Sequence, residues 1–203
     1  MNNLVEIKIC GLRRYEDINY VNKLRPEYIG FVFAKSKRQI DPYMARRLVD
    51  RLNKDIKKVG VFLNHSLEEV KEIEKLCHLD VLQFHGDESS SYCSCFENEV
   101  WKSFLIRDEN SLELLEKYRV DKYLLDTWIE GEAGGTGKRF NWELAIGIGK
   151  TKSIVLAGGL CSENIRNAIG IVRPAVVDVS SGVETEGYKD YGKIKDFIER
   201  VRG

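Results

Sequence analysis

Prolines are scarce in this sequence, with three in 203 residues, and no stretch rich in glycine, serine and proline separates one part from another. Low-complexity tracts are missing as well, so composition gives no sign of a linker between domains. The length is sufficient to bury one sizeable core. We therefore expect a single domain over residues 1–203.

An excess of either charge is also missing. The 32 basic residues balance 32 acidic ones, so no net field attracts the chain to nucleic acid or to an anionic membrane surface. The longest apolar runs are far shorter than the roughly 20 residues of a membrane-spanning helix, and the start, MNNLVEIKICGL, does not have the form of a signal peptide. We expect a cytoplasmic protein that binds neither nucleic acid nor membrane.

Cysteines are few and odd in number, five in all, and they are scattered. This pattern argues against a disulfide framework and fits a reducing compartment. Cys93 and Cys95 form a CxC pair without a second pair or a nearby histidine. We interpret them as two small residues around a loop or helix end, and we predict no metal site.

The segment GGTGK at 134–138 is similar to part of a nucleotide-binding loop. Such a loop needs a glycine, four residues, and then Gly-Lys-Ser/Thr, so that amides surround the phosphates and a hydroxyl reaches magnesium. Glu132 stands where the first glycine is needed and Arg139 where the hydroxyl is needed. The spacing argues against binding of a nucleoside triphosphate.

Short runs of Val, Ile, Leu and Phe recur along the chain, and their first residues are 19 to 31 positions apart. Each run predicts a buried strand. The eight runs are VEIKI (5–9), YIGFVF (28–33), KKVGVFL (57–63), VLQF (81–84), VWKSFLI (100–106), KYLLD (122–126), SIVLA (153–157) and AVVDV (175–179).

Amphipathic stretches between the runs predict helices, among them 42–53, 66–77 and 190–201. Asp41 before a proline, and Ser66 followed three residues later by Glu69, are helix-start signals. Strand and helix alternate without a hairpin signal, which predicts a parallel sheet with right-handed crossovers. Eight units favour an α/β fold of the (β/α)8 TIM-barrel type over an open doubly wound sheet.

Strand alternation places Glu6, Lys8 and Cys10 on one face of the first strand, and the polar set suits the barrel interior. The same count directs Asp178 on the last strand and Asp126 on the sixth inward. A buried Lys8 needs a carboxylate, and Asp178 on the neighbouring closing strand is the candidate. Cys10 then lies at a strand end beside a cation, and such a charge lowers the pKa of a thiol.

Glycine-bearing ends follow the last two strands, AGGL at 157–160 and SSGV at 180–183. These are the positions where barrels of this type most often bind phosphate through backbone amides. A phosphorylated small molecule is therefore the expected ligand. The basic cluster KSKR at 35–38 either binds a second anion or forms a solvated charged loop.

Taken together, these segments resemble the phosphoribosylanthranilate isomerase family of tryptophan biosynthesis over essentially the whole chain. The similar strings are KICG (8–11), GFVF followed by SKR (30–38), VGVF (59–62), LQFHGDE (82–88), LLDT with GGTGKRFNW (124–142), LAGGL with EN (156–164), and VDVSSGVE with G and KD (177–190).

The resemblance implies an Amadori rearrangement that needs neither a metal nor a redox cofactor. It implies that Cys10 is the general base and Asp126 the general acid. It further implies that Arg38 faces the anthranilate carboxylate and that Asp178 hydrogen-bonds a sugar hydroxyl. The oligomeric state is left open between a monomer and a homodimer. The other implied substrate contacts are Gln83, His85 and Gly135, and the implied phosphate contacts are Gly158, Gly159, Ser180, Ser181 and Gly182.

Three departures from the family pattern concern loops. A proline-containing position that usually precedes the SKR string is missing after Phe33, which affects the placement of Arg38. Asn141 replaces a usual aspartate, and CSEN (161–164) replaces a more typical proline-containing form. Two other functions stay open: the related isomerase of histidine synthesis, which uses two aspartates and has a half-barrel repeat, and a non-catalytic barrel that binds a phosphosugar. The second would need the glycine-bearing ends but not Cys10 and Asp126.

Overall fold

The computed structural model describes residues 4–127 and 141–203. Gly135 and the GGTGK segment at 134–138 lie outside the described residues.

Eight parallel strands form a closed barrel in which each strand pairs with the next in the sequence and the last pairs with the first. This confirms the predicted TIM barrel and excludes the open sheet. Each predicted strand is present, with bounds shifted by at most one residue. The strands are β1 (Glu6–Cys10), β2 (Tyr28–Val32), β3 (Lys57–Phe62), β4 (Val81–Phe84), β5 (Glu99–Ile106), β6 (Lys122–Thr127), β7 (Ile154–Leu156) and β8 (Val176–Val179).

Helices pack outside the barrel, but those after the fourth and fifth strands are short. The helices are α1 (Tyr15–Leu24), α2 (Pro42–Val49), α3 (Leu67–Cys77), α4 (Ser90–Cys93), α5 (Asn110–Glu113), α6 (Ile165–Val172) and α7 (Tyr191–Arg202), with 3₁₀ turns at Leu114–Lys117, Trp142–Ala145, Ile148–Lys150 and Ser181–Val183. Cys93 ends α4 and Cys95 follows it, so the CxC pair lies at a helix end as expected.

The predicted helix starts are confirmed by their caps. Asp41 accepts hydrogen bonds from the amides of Tyr43 and Met44, and Ser66 forms a capping box with Glu69. These bonds satisfy amides that have no acceptor within the helix. The helix predicted over 42–53 is wrong at its end, because α2 stops at Val49.

The barrel interior is filled by inward side chains that form their own cluster, separate from the larger core between the strands and the helices. A Tyr28–Trp101 edge contact, with ring centroids 5.0 Å apart, lies at its centre. The interior cluster comprises Tyr28, Val59, Val81, Trp101, Leu124, Val155, Ala157 and Val176. Because these side chains fill the barrel interior, a ligand can bind only at the carboxyl ends of the strands.

One element was not predicted. After β8 the chain forms a two-stranded antiparallel hairpin, β9 (Glu184–Thr185) and β10 (Tyr188–Lys189), outside the barrel. Its turn residues Glu186 and Gly187 have positive φ values of 52° and 77°, a conformation typical of tight hairpin turns.

Across residues 4–127 and 141–203, the structure contains no helix with the length and apolar character required to cross a membrane.

Candidate active site

A cavity of about 280 Å³ opens at the carboxyl ends of the strands. Its wall brings together most of the predicted site residues although they come from six different strand ends. Gly182 is not part of the wall, and Gly135 lies outside the described residues. The predicted residues in the wall are Cys10, Arg38, Gln83, His85, Asp126, Gly158, Gly159, Asp178, Ser180 and Ser181.

Cys10 ends β1 and is buried, with 8% of its surface exposed. Its neighbour across the sheet is Gly30 on β2. A Cβ at Gly30 would lie 2.7 Å from the Cys10 sulfur, too close for the two atoms to pack, and 3.1 Å from Cε of Lys8, a tight contact. The missing side chain therefore makes the space in which both residues lie.

Lys8 is fully buried inside the barrel and is paired as the sequence predicted. Its ammonium donates hydrogen bonds to Asp178 at 2.7 Å and to Gln83 at 2.8 Å. Burial alone would lower the pKa of Lys8, but the negative charge of Asp178 outweighs it and the pKa is raised. Lys8 is therefore a permanent cation below the cavity floor.

The expected lowering of the Cys10 pKa is wrong for the protein without ligand. Burial raises the pKa of the thiol above its ordinary value, although the positive charge of Lys8 opposes the increase. Desolvation penalises the thiolate more than one already paired cation stabilises it. In the free protein Cys10 is therefore a neutral thiol near pH 7.

Asp126 lies on β6, across the barrel from Cys10, and is 5% exposed. Its Oδ1 accepts a hydrogen bond from the Thr127 amide at 2.7 Å, and its Oδ2 lies 3.5 Å from Nε2 of His85. A Cβ at Gly158 would approach Asp126 Oδ1 to 2.7 Å. The carboxyl group is therefore held in one position, with one oxygen directed toward His85.

Gln83 links the two sides of the cavity. Its oxygen accepts from Lys8, and its nitrogen lies 3.4 Å from Nδ1 of His85. A continuous polar chain therefore runs from Lys8 through Gln83 and His85 to Asp126. Asp178 Oδ1, at the other end, is buried and has no hydrogen-bond partner among the described residues, so it can accept a hydrogen bond from a ligand hydroxyl.

The glycine-bearing ends after β7 and β8 lie next to each other. Gly158 and Gly159 have φ values of +83° and +63°, which place successive amides in the concave arrangement that binds anions. A Cβ at Gly182 would lie 2.0 Å from the Leu160 carbonyl oxygen. Gly182 therefore allows the two loops to pack together, although it does not line the cavity.

The KSKR cluster is part of the site and is not simply a solvated loop. Lys35, Ser36 and Arg38 line the cavity. Arg38 donates from Nε and Nη2 to the two carboxylate oxygens of Glu184, both at 2.8 Å. The shortened loop after Phe33 therefore still delivers the guanidinium to the cavity mouth.

Glu184 and Lys189 are site residues that the sequence interpretation missed. Lys189 is 4% exposed and donates to Glu184 at 2.6 Å. Burial would raise the pKa of Glu184, but the hydrogen bonds from Arg38 and the charge of Lys189 hold it at about 2. The glycine between the two residues, in GVETEGYKD, is the signal that could have indicated a hairpin bringing them together.

A second missed pair supports the loop that carries His85. Lys102 on β5 is 3% exposed, lies 3.4 Å from Glu88, and donates to the Gly86 carbonyl at 2.7 Å. Glu88 accepts from the amides of Asn64 at 2.7 Å and Gly86 at 2.9 Å. The loop after β4 is thus fixed by buried polar contacts on the side away from the cavity.

Comparisons with known proteins agree with this geometry. Residues 7–200 match the family described as N-(5'phosphoribosyl)anthranilate (PRA) isomerase. The N-(5'-phosphoribosyl)anthranilate isomerase of Thermoanaerobacter sp. (strain X514) is 54% identical over 201 residues, which cover 98% of this chain and 99% of the relative.

Two solved structures are similar over the whole barrel. Monomers of the dimeric phosphoribosylanthranilate isomerase from Thermotoga maritima superpose with a TM-score of 0.88 at 38% identity, covering 98% of this chain and 99% of theirs. A phosphoribosylanthranilate isomerase in complex with reduced 1-(o-carboxyphenylamino)-1-deoxyribulose 5-phosphate gives 0.88 at 37% identity, with the same coverage. With its barrel and its strand-end residues, the chain belongs to the phosphoribosylanthranilate isomerase family.

Proposed function

We propose that this protein catalyses the Amadori rearrangement of N-(5-phosphoribosyl)anthranilate to 1-(2-carboxyphenylamino)-1-deoxyribulose 5-phosphate, a step of tryptophan biosynthesis. Membership of the family supports the reaction. The observation that carries the proposal is that a buried thiol, Cys10, and a buried carboxyl, Asp126, line one cavity together with anion-binding loops. A binding protein without catalysis would have no need of this acid and base.

Asp126 acts as the general acid. It gives its proton to the furanose ring oxygen, the bond from that oxygen to C1 breaks, and the nitrogen lone pair forms a Schiff base at C1. The Thr127 amide and the position of His85 support this role, because they orient the carboxyl group before the substrate arrives.

Cys10 acts as the general base. As a thiolate it removes the C2 proton, and the electrons move toward the Schiff base to give an enolamine. The enolamine takes a proton at C1 and loses the proton of its C2 hydroxyl, which gives the ketone. No atoms are gained or lost, and the chemistry requires no metal or redox cofactor. Lys8 supports the step, since its charge stabilises the thiolate at the moment it forms.

The ends of the substrate carry two different anions, and the cavity has a feature for each. The phosphate is held by the loops that contain Gly158, Gly159, Ser180, Ser181 and Gly182. The anthranilate carboxylate faces Arg38. Asp178 accepts from a sugar hydroxyl through its unpaired Oδ1, while Gln83 and His85 contact the substrate between these ends. A contact from Gly135 stays a prediction.

We further propose that residues 1–203 form one catalytic domain. It works as a monomer or a homodimer, and the existence of a dimeric relative supports the second form. A cytoplasmic location is supported by the cysteines, since all five are unpaired as expected in a reducing compartment.

The test is to generate phosphoribosylanthranilate in situ and to follow the loss of its fluorescence when the protein is added. Cys10→Ala and Asp126→Asn should each lower kcat by at least about a hundredfold, the usual contribution of a positioned acid or base. If the native chain left the decay of substrate fluorescence unchanged, the proposed isomerase activity would be wrong. Full activity in either variant would contradict the proposed acid–base mechanism. Cys95→Ala, at an exposed cysteine, is the matched control and should keep full activity.

The same assay separates the two other functions considered from the sequence. An isomerase of the histidine-synthesis type uses two aspartates, so its activity would persist in Cys10→Ala. A phosphosugar-binding barrel would bind the reduced product analogue without converting phosphoribosylanthranilate.

A further inference from the structure

The Glu184 carboxylate joins the loops that follow β2 and β8, the two strands that flank β1 in the barrel. It accepts from Arg38, which follows β2, and from Lys189 on β10. Lys189 also donates to the carbonyl and hydroxyl oxygens of Ser180, at 3.0 and 3.3 Å. One largely buried carboxylate thus connects the residue proposed to face the substrate's carboxylate with the loop proposed to hold its phosphate.

The geometry at Arg38 leaves half of its guanidinium available. A guanidinium has two edges, and each can take a carboxylate by two parallel hydrogen bonds. Glu184 occupies the edge formed by Nε and Nη2. Among the described residues, Nη1 has no hydrogen-bond partner, and Arg38 lines the cavity. The second edge is therefore free for a planar anion.

Burial restricts the motion of the side chains that hold Arg38. The Glu184 side chain is 9% exposed and the Lys189 side chain 1%. A long arginine side chain normally loses rotamer freedom when it binds a ligand, and that loss weakens affinity. Arg38 has already lost this freedom to Glu184 in the protein without ligand.

We propose that Glu184 is a positioning residue that fixes Arg38 so that its free edge takes the aromatic carboxylate of the substrate. The inference rests on the proposed function, because it needs a substrate with that carboxylate. Charge repulsion between Glu184 and the anionic substrate would predict the opposite effect of replacing Glu184. Removing a negative charge near an anionic ligand should tighten binding, whereas loss of positioning should weaken it.

The test compares two ligands by isothermal titration calorimetry. One is reduced 1-(o-carboxyphenylamino)-1-deoxyribulose 5-phosphate, and the other is its counterpart with an unsubstituted phenyl ring. Native protein should prefer the carboxylated ligand, and Glu184→Gln should reduce that preference by at least about tenfold. Glu186→Gln, which removes the same charge from the exposed turn of the same hairpin, should keep the native preference.

The ratio of the two affinities does not depend on how much of a variant is folded, so a destabilised Glu184→Gln still gives an answer. In turnover, the positioning role predicts a KM raised about tenfold with kcat within about threefold, since uniform binding is lost. An unchanged or increased preference for the carboxylated ligand would overturn the inference. Absence of turnover in the native chain would instead count against the proposed function.

Discussion

At the scale of single residues, burial and charge act on the Cys10 thiol in opposite directions, and burial prevails. A base with a raised pKa is mostly protonated at neutral pH, so kcat/KM should increase as the pH rises above 7 and reach a plateau only beyond the ordinary thiol range. The pH profile of kcat/KM for the native chain measures this directly. A profile already flat from pH 6 to 9 would show that the working thiolate forms without this penalty.

Lys8 and Asp178 form a buried pair whose members depend on each other. Asp178→Ala leaves a cation with no exposed surface and no counter-charge, and such a loss typically costs about 3–5 kcal/mol. Urea denaturation should show that decrease in the free energy of unfolding. The matched control is Glu199→Ala, which breaks an exposed ion pair with Lys195 and should change stability by less than about 1 kcal/mol. Equal effects would contradict the buried-pair argument.

At the scale of elements, the residue at one position of β2 determines how much room the side chains of β1 have. On β2, Gly30 leaves the room that Cys10 and Lys8 of β1 occupy. Gly30→Ala should move both side chains and lower kcat by about a hundredfold, the effect expected when a reacting group shifts by about 1 Å. The fluorescence assay measures the loss.

Gly170 in α6 provides the control for that substitution, because a Cβ there meets no atom within 4 Å. Gly170→Ala should keep full activity and raise the free energy of unfolding by about 0.5–1 kcal/mol, since alanine favours a helix interior. If Gly30→Ala were as active as Gly170→Ala, the strand pair would not control the position of Cys10.

At the scale of the whole molecule, acid stability depends on the hairpin after β8. The folded pKa of Glu184, about 2, lies below the ordinary value of about 4.3 for an unfolded chain. Its stabilisation is therefore complete above pH ~5 and is lost as the pH falls through about 2. Denaturation at pH 6, 4 and 3 should show a decline that is smaller in Glu184→Gln, with a difference of about 1–2 kcal/mol between pH 6 and pH 3. Parallel curves for the two proteins would refute this linkage.

Much of the molecule is determined by local sequence alone. The apolar runs specify the strands because a buried parallel strand must be apolar, and a period of two specifies which side chains enter the barrel. For this reason Lys8, Cys10, Asp126 and Asp178 could be placed, and the Lys8–Asp178 pair predicted, before the structure was known.

Other properties depend on the closure of the barrel and on loop conformation, and only the tertiary structure determines them. Arg38 and Glu184 are 146 positions apart, and no periodicity connects them. The space at Gly30 depends on strand register, and the pKa of Cys10 on how completely the neighbouring strands exclude water. These properties arise from distances between segments far apart in the sequence, whereas strand position and face arise from neighbours along the chain.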